Sequence, residues 1–379
     1  MEMLKTALTP LAIALALTGC TAEPDHKAAI ETDGLSRLER VGMELYFDEN
    51  LSTPPGQSCA SCHLPTAGFA DPDAHHATSE GVHEGRFGSR NSPVVSYAKF
   101  SPPFHFDKKE GLYVGGQFWD GRAATLEEQA KQPFLNPVEM ANPSPAAVVA
   151  KVREAEYADH LRELFGDAVF NDDAKFYDAI AAAIAAFERT DAVSPFTSKY
   201  DYFLAGKAEL TAKEKHGLEL FEREDKGNCA ACHPSQRGED GSKPLFTDFT
   251  YDNLGVPSNT ENPHLRNHPE FNPHGEAFVD LGLGGESGVN KPSEHGKFKV
   301  PTLRNIALSG PYMHNGVLVS LKEVVDFYNT RDSEPERWAA PEVVANVNDE
   351  ELGNLGLTDD EVDAIVAFME TLTDGYELK

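Results

Sequence analysis

Two copies of the motif Cys-x-x-Cys-His constrain this chain more than any other feature. The first is Cys59-Ala60-Ser61-Cys62-His63 and the second is Cys229-Ala230-Ala231-Cys232-His233. In this motif the two thiols form thioethers with the vinyl groups of a haem, and the histidine becomes an axial ligand of the iron. A zinc site would require a second cysteine pair nearby, and a redox-active cysteine pair does not need a histidine in the same place twice. We therefore predict two covalently bound c-type haems.

The two motifs also predict two domains. The chain has 379 residues and the motifs begin 170 positions apart, which leaves room for one domain of ordinary size around each haem. We expect a signal peptide in residues 1–19, a tether in 20–33, an N-terminal haem domain in 34–195 and a C-terminal haem domain in 196–379. Four of the five cysteines belong to the motifs, so the sequence offers no disulfide framework.

The N-terminal residues have the pattern of an export signal. Lys5 precedes an apolar run over residues 8–17, which is too short to span a bilayer but fits a signal-peptide core. The sequence Leu17-Thr18-Gly19-Cys20 resembles the site at which bacterial lipoproteins are cut and lipidated. We therefore expect an acylated Cys20 that anchors a periplasmic protein to a bacterial membrane. The alternative is simple cleavage near this point, because the leading segment carries one lysine and also Glu2. No other segment is apolar enough to cross a membrane.

The formal net charge of −29 indicates which classes of macromolecule could bind this chain. It argues against nucleic acid, whose phosphates require a basic face. It favours a positively charged partner, such as a small redox protein that is steered to an acidic surface. The alternative is that the acidity only keeps the protein in solution.

Helical periodicity brackets each motif in the same way. Gly42-Met43-Glu44-Leu45-Tyr46-Phe47 precedes the first motif and Gly217-Leu218-Glu219-Leu220-Phe221 precedes the second. After each motif, a second pair of segments is also similar: Asp178-Ala179-Ile180 begins an apolar stretch, and so does Asp363-Ala364-Ile365. An entry helix and a closing helix that pack over the haem are typical of a cytochrome c domain. We predict that this arrangement occurs twice.

Helix starts are well marked, whereas strands are not indicated. A hydroxyl residue followed three positions later by glutamate predicts a helix N-terminus, and this pattern occurs at Thr125, Thr211, Ser320 and Thr358. The stretches 64–116 and 234–311 are rich in Gly, Pro, His and Asn and contain no run that predicts a strand. We therefore predict a mostly α fold with two cytochrome c-like haem domains and long irregular loops that wrap the haems.

Several further segments make the chain similar to one family. They are Arg90-Asn91-Ser92-Pro93, Phe118-Trp119-Asp120-Gly121-Arg122, Glu128-Gln129-Ala130, Asn136-Pro137-Val138-Glu139-Met140, Val300-Pro301-Thr302-Leu303-Arg304-Asn305 and Pro311-Tyr312-Met313-His314-Asn315-Gly316. With both haem motifs in order, the chain resembles the bacterial di-haem cytochrome c peroxidase and MauG family from about residue 34 to the C-terminus.

The resemblance implies a peroxide site over the N-terminal haem. Peroxide cleavage needs an accessible iron face and a group that moves a proton between the two peroxide oxygens. In the family this group corresponds to Glu139, with Gln129 beside it and Pro133 lining the same pocket. Without the family, Glu139 would be an ordinary surface carboxylate in a proline-rich turn.

The resemblance also implies a sixth ligand for the N-terminal haem. His83 precedes the segment that begins at Arg90 by the interval found for the displaceable histidine of the peroxidases, and the MauG branch lacks this histidine. His75 and His76 are rival ligands. The alternative is that His83 is a solvated loop residue.

At the C-terminal haem the resemblance points to the MauG branch. The peroxidases place a methionine where this chain has Tyr328, as the MauG branch does. A phenolate ligand favours ferric iron and should lower the reduction potential. Met313 is the second candidate ligand. Tyr328 could instead pack in a helix face with Leu321 and Val324.

Two further roles follow from the family. Trp119 would lie between the haems and pass electrons or holes, although most tryptophans serve core packing. Asn91 and the backbone carbonyls of Ser309 and Pro311 match the family's calcium position, and such oxygen donors suit Ca²⁺. Asn91 could equally be a turn-capping amide.

The expected function is reduction of hydrogen peroxide to water with electrons from a cytochrome c or a cupredoxin. One alternative is a MauG-like oxidase that uses peroxide to modify tryptophan or tyrosine residues of a partner protein, against which His83 counts. The other is a non-enzymatic di-haem electron carrier, in which Glu139 and Gln129 would have no task. A homodimer is compatible with the sequence.

Overall fold

The computed structural model of the chain describes Lys27, Ile30 and residues 32–73 and 75–378. The predicted signal peptide, Cys20 and most of the predicted tether lie outside the described residues. Within the described residues no helix has both the length and the apolar character needed to cross a bilayer.

The described residues are mostly helical, as predicted. The helices are α1 (Arg37–Phe47), α2 (Cys59–Cys62), α3 (Leu126–Leu135), α4 (Pro145–Glu154), α5 (Ala158–Phe165), α6 (Asp167–Phe170), α7 (Asp173–Glu188), α8 (Lys199–Leu204), α9 (Ala212–Glu222), α10 (Leu321–Thr330) and α11 (Asp359–Glu370). The strands are β1 (His105–Asp107), β2 (Leu112–Val114), β3 (Tyr251–Asp252) and β4 (Phe298–Lys299).

The four predicted helix starts all cap helices. The hydroxyls of Thr125, Thr211, Ser320 and Thr358 accept the backbone N–H three residues later, which satisfies one of the free amide groups of a first helical turn. At Thr211 and Thr358 the glutamate also accepts the N–H of the capping residue. At Thr125 and Ser320 the glutamate instead accepts the N–H of the residue that precedes the capping residue.

The repeated glycines mark two equivalent helix crossings. A Cβ atom at Gly42 in α1 would lie 1.9 Å from the carbonyl oxygen of Ala183 in α7. A Cβ atom at Gly217 in α9 would lie 1.9 Å from the carbonyl oxygen of Ala364 in α11. No side chain fits at either position, so glycine is what lets the entry and closing helices cross this closely.

Two separate hydrophobic cores surround these crossings. The first contains buried residues between Ile30 and Val193 and includes α1, α3, α4 and α7. The second contains buried residues between Tyr200 and Leu372 and includes α9, α10 and α11. Each haem motif lies beside its own core, and the domain boundary at residues 195 and 196 stays a prediction.

The long loops contain more regular structure than their sequences predict. β1 pairs antiparallel with β2, with Phe106 opposite Tyr113, and β3 pairs antiparallel with β4, with Tyr251 opposite Lys299. These strands have only two or three residues, too few for an alternating pattern to be visible in the sequence.

Candidate functional site

The first haem motif forms a single helical turn at the edge of a cavity. Cys59 and Cys62 are the ends of α2, and the N–H of His63 donates to the carbonyl of Cys59. Tyr46 in α1 donates its hydroxyl to the carbonyl of His63 at 2.7 Å. Both cysteines and the histidine line one cavity, here called the N-terminal cavity.

The electrostatics of this motif suit iron binding. Burial lowers the pKa of His63 to about 4, so its imidazole is neutral at pH 7, which is the form that binds a metal. Burial raises the pKa of the Cys62 thiol to about 12 and also raises that of Cys59. Both cysteines are therefore protonated thiols at pH 7.

The residues expected to handle peroxide lie together in the same cavity wall. Gln129 and Pro133 of α3 and Glu139 in the following turn all line the N-terminal cavity. Glu139 is half-buried and lines the cavity, and burial raises the pKa of its carboxyl group. Asn136 donates its amide to Glu139 Oε1 at 2.7 Å and partly opposes this rise, as does the positive charge of Arg122.

The predicted sixth ligand is not among the residues that line this cavity. His83 is half-buried, and it is absent from the residues that line the N-terminal cavity. Its loop is held against the backbone beside Glu139, because Val82 donates its N–H to the carbonyl of Glu139 at 2.9 Å. The rivals His75 and His76 are exposed and do not line the cavity either.

Two buried titratable residues that the sequence did not single out also line the N-terminal cavity. His264 comes from the C-terminal half of the chain, and its ring packs edge-on against Phe278, with centroids 5.0 Å apart. Glu188 is the last residue of α7. His264 lies in an irregular loop with no periodic pattern. Glu188 is a charged residue near a helix end, where an exposed side chain is expected. The sequence therefore predicts a cavity position for neither residue.

The second haem motif has an equivalent cavity. Cys229, Cys232 and His233 line this C-terminal cavity. The Nδ1 atom of His233 lies 2.7 Å from the carbonyl oxygen of Phe246. A bond between them fixes the proton on Nδ1 and leaves Nε2 available to a metal. Burial lowers the pKa of His233, which favours the neutral imidazole.

Both candidate sixth ligands reach the C-terminal cavity. Tyr328 lies on α10, and Met313 lies in the loop before it. The two side chains are among the residues that line the cavity. Burial raises the pKa of the Tyr328 hydroxyl, so deprotonation to a phenolate there requires a positive partner such as ferric iron.

The wall between the cavities contains Trp119. This residue lines both cavities, together with Ser92, Pro93, Val94 and Asp280. The Trp119 indole donates to the carbonyl of Asn91 at 2.8 Å. The backbone N–H of Lys299 donates to the carbonyl of Trp119 at 2.8 Å. Trp119 is therefore held by hydrogen bonds of both its side chain and its backbone.

Charged side chains stiffen the same wall. Arg90 pairs through two nitrogens with the carboxylate of Asp280, at 2.6 and 2.8 Å, and through a third with Asp120. The Arg90 guanidinium holds the pKa of Asp280 well below its usual range, against the opposing effect of burial. A buried, bidentate pair of this kind costs desolvation but fixes side-chain geometry.

The proposed calcium residues lie in the C-terminal cavity wall. Asn91, Ser309 and Pro311 all line that cavity. Asn91 donates its amide Nδ2 to the carbonyl of Ala77 at 3.2 Å, which leaves its Oδ1 as a hard oxygen donor of the kind that Ca²⁺ prefers.

The residues present fit two covalently attached haems. Each cavity offers two thiols for thioether bonds, a neutral imidazole beside them and a largely apolar lining. This donor set is that of a c-type haem. Among the described residues no group of three or more His, Cys, Asp or Glu side chains is arranged to hold another metal ion.

Comparisons with known proteins agree with this geometry. A family model described as di-haem cytochrome c peroxidase matches residues 36–209. The chain is 42% identical to the methylamine utilization protein MauG of Paracoccus denitrificans, over 98% of this chain and 96% of that protein. It is 30% identical to the cytochrome c551 peroxidase of Nitrosomonas europaea, over 98% and 92%.

A solved structure has the same fold. The diheme peroxidase BthA of Burkholderia thailandensis superposes with a TM-score of 0.78 at 35% identity, covering 89% of this chain and 86% of that one. Two haem motifs in separate cavities, a shared wall and full-length similarity to both branches lead to one conclusion. The chain belongs to the di-haem cytochrome c peroxidase and MauG family.

Proposed function

We propose that this protein reduces hydrogen peroxide to water at an N-terminal haem attached to Cys59 and Cys62. Its electrons would come from a small redox protein such as a cytochrome c or a cupredoxin, through a second haem attached to Cys229 and Cys232. The observation that supports this most is the grouping of Gln129, Pro133 and Glu139 in the wall of the cavity that also contains His63.

A c-type haem supplies the iron at which the peroxide O–O bond is reduced by two electrons. The chain must then move protons. Glu139 would accept a proton from one peroxide oxygen and deliver it to the other, which leaves as water. Over the whole reaction one peroxide molecule takes up two electrons and two protons from outside and gives two water molecules. The Gln129 amide, on the same wall, can hold the peroxide in line with Glu139.

The raised pKa of Glu139 suits this exchange. Its carboxyl group releases and takes up a proton closer to neutral pH than an exposed glutamate does, and acid–base catalysis is most efficient when the pKa lies near the working pH. Glu139 must be ionised to accept a proton from peroxide. Its pKa is raised, so the peroxidase activity should begin to fall on acidification at a higher pH than an exposed glutamate would give.

Trp119 would carry electrons between the two haems. Its indole lines both cavities and is fixed by hydrogen bonds to Asn91 and Lys299. A rigid aromatic ring in the shared wall shortens the gap that an electron must cross. The wall of the C-terminal cavity would hold the proposed Ca²⁺ through Asn91, Ser309 and Pro311.

Replacement of Glu139 by Gln tests the proposal. We expect the rate of peroxide reduction to fall by about 10²–10⁴-fold, with both haems still attached. The low-pH limb of the activity profile should also disappear. Glu156→Gln, which changes an exposed glutamate of the same domain, is the matched control. Unchanged turnover in the Glu139 variant would remove this residue from the mechanism.

A second candidate function is oxidation of a partner protein's tryptophan or tyrosine residues, as in the MauG branch. Tyr328 in the C-terminal cavity and the 42% identity to MauG favour it. His83, which argued against it, does not line the N-terminal cavity. Mass spectrometry of a candidate partner after peroxide turnover, with reduced cytochrome c monitored in parallel, separates the two functions. Consumption of cytochrome c alone supports the peroxidase.

The proposed location is the periplasm, with a lipid anchor at Cys20. The export pattern and the lipoprotein-like sequence before Cys20 support this proposal. Labelling with a radioactive fatty acid, compared between the natural chain and Cys20→Ser, tests the anchor.

A further inference from the structure

The acidic segment formed by residues 332–354 is the outer wall of the C-terminal cavity. Four of its residues line that cavity from inside: Glu342, Val343, Glu351 and Leu352. Its exposed residues include six carboxylates, Asp332, Glu334, Glu336, Asp349, Glu350 and Glu351. Val344, which follows a cavity-lining residue directly, is 74% exposed. A partner protein on the outside of this segment would therefore be separated from the second haem by one layer of chain.

A chain of aromatic contacts leads from the same cavity to this segment. The rings of Tyr328 and Phe327 have centroids 6.2 Å apart, and those of Phe327 and Trp338 are 5.3 Å apart at an interplanar angle of 90°. Phe327 is fully buried, whereas Trp338 is half-buried at the surface. The three rings therefore connect the cavity to the molecular surface through direct ring contacts.

Trp338 is held in a fixed position. Its indole donates to the hydroxyl of Thr330 at 3.0 Å. The guanidinium of Arg337 lies over its ring at 4.7 Å, and Arg337 is itself paired with Asp326 at 2.8 Å and Glu334 at 3.6 Å. A cation on the ring face makes it harder to remove an electron from the indole. The ring is thus suited to be a bridge for electron tunnelling rather than a site where a radical rests.

We propose that the outer face of residues 332–354 is the docking surface for a reduced redox protein with a basic face, and that Trp338 is the point of electron entry. This inference rests on the proposed function and identifies the donor's binding site. In each encounter one electron leaves the partner and one reaches the second haem, with no bond made or broken. Two encounters supply the two electrons that one peroxide molecule consumes.

The charge of the segment defines the partner's face. Between positions 332 and 351 the sequence has seven carboxylates and one arginine, and all of these carboxylates except Glu342 are exposed. A basic patch around the partner's exposed redox group would be steered to this surface, and such steering raises association rates by about 10–10³-fold at low ionic strength. The exposed Val344 supplies an apolar contact of the kind found at the centre of transient interfaces.

Rapid mixing with reduced mitochondrial-type cytochrome c, a small cationic haem protein, tests the docking surface. We expect Glu336→Lys/Glu350→Lys, at two exposed positions that make no ion pair with Arg337, to lower the second-order rate of electron transfer at least tenfold at low ionic strength. The difference should shrink at high salt because exposed charges are screened. The matched control is Glu154→Lys/Glu156→Lys, which makes the same charge change at exposed positions of the other domain. Equal rates in the two double variants would overturn the docking surface.

Substitution of Trp338 tests the electron entry. Trp338→Leu should lower the limiting rate at saturating cytochrome c at least tenfold without changing the half-saturation concentration, and Trp338→Phe should restore most of the rate. A purely structural role would lower haem content and thermal stability instead. The electron-bridge role would be overturned if folded Trp338→Leu and Trp338→Phe proteins had equally low limiting rates. It would also be overturned if both variants had the limiting rate of the natural chain.

The same variants separate this inference from the proposed function. Peroxide consumption with a small neutral hydroquinone as donor does not require protein docking, so it should be equal in all variants. Turnover with hydroquinone together with no sensitivity to the charge reversal would refute the docking surface alone. Absence of peroxide turnover in the natural chain with either donor would refute the proposed function.

Discussion

Glu188 offers a quantitative test of the electrostatics of the N-terminal cavity. Its side chain is 3% exposed, and its Oε2 atom has no hydrogen-bond partner among the described residues. Burial raises the pKa of this carboxyl group from 4.5 to about 8. Arg189 offsets little of this effect, because its guanidinium is paired with Glu127 at 2.6 Å. Glu188 should therefore be protonated in the native protein at pH 7.

The raised pKa determines the sign of the pH dependence. Between about pH 4.5 and pH 8 the native state keeps the Glu188 proton and the unfolded state releases it, so the free energy of unfolding falls as pH rises and levels off above about pH 8. The full difference in pKa corresponds to about 5 kcal/mol, because each tenfold change in protonation is worth about 1.4 kcal/mol. Relaxation around the charged form reduces this to an expected range of about 2–5 kcal/mol.

Urea unfolding of the haem-loaded protein at pH 5 and pH 9 measures the effect. Glu188→Gln removes the titrating group and keeps its shape, so it should match the natural chain at pH 5 and exceed its stability at pH 9 by about 2–5 kcal/mol. Glu156→Gln, at an exposed position, should follow the natural chain at both pH values. If Glu188→Gln and the natural chain lost stability equally between pH 5 and pH 9, the buried-carboxyl reasoning would be refuted.

Two further predictions concern the helix crossings and the second haem. Gly42→Ala and Gly217→Ala should each lower the free energy of unfolding by about 1–3 kcal/mol or more, because the added Cβ meets a carbonyl oxygen at 1.9 Å. The control is Gly288→Ala, at a position with open space around it. Unchanged denaturation midpoints in both crossing variants would contradict the packing. Tyr328→Phe should raise the reduction potential and change the spectrum of the second haem alone, as measured by spectroelectrochemistry, because loss of a phenolate destabilises ferric iron. A change on Met313→Leu and none on Tyr328→Phe would assign the ligand to Met313.

The features that could be predicted from the sequence are local ones. The haem motifs, the capping residues and the repeated glycine positions each depend on a few neighbouring residues, so their chemistry is visible in the chain itself. The equivalence of Gly42 and Gly217 could be seen as a repeat, although its cause, the close approach to Ala183 and Ala364, required the packed helices.

The features that could not be predicted arise from contacts distant in sequence. His264 reaches the N-terminal cavity from the other half of the chain, through a loop without periodicity. His83 as an iron ligand stays a prediction, because it rests on an interval from a motif and an interval does not fix side-chain direction in a loop. The hydrogen bond from Val82 to the backbone of Glu139 is what sets the course of that loop. Trp338 likewise showed no pattern before its contact with Phe327 was known.

The central claim is that the two haems divide the work, one meeting peroxide and the other supplying electrons. Electron paramagnetic resonance of the ferric protein, before and after partial reduction and then with peroxide, tests it most directly. The account predicts two distinct iron signals, of which only the one associated with His63 responds to peroxide, while the other changes on substitution of Tyr328. A single haem signal, or two six-coordinate signals that peroxide leaves unaltered, would contradict it.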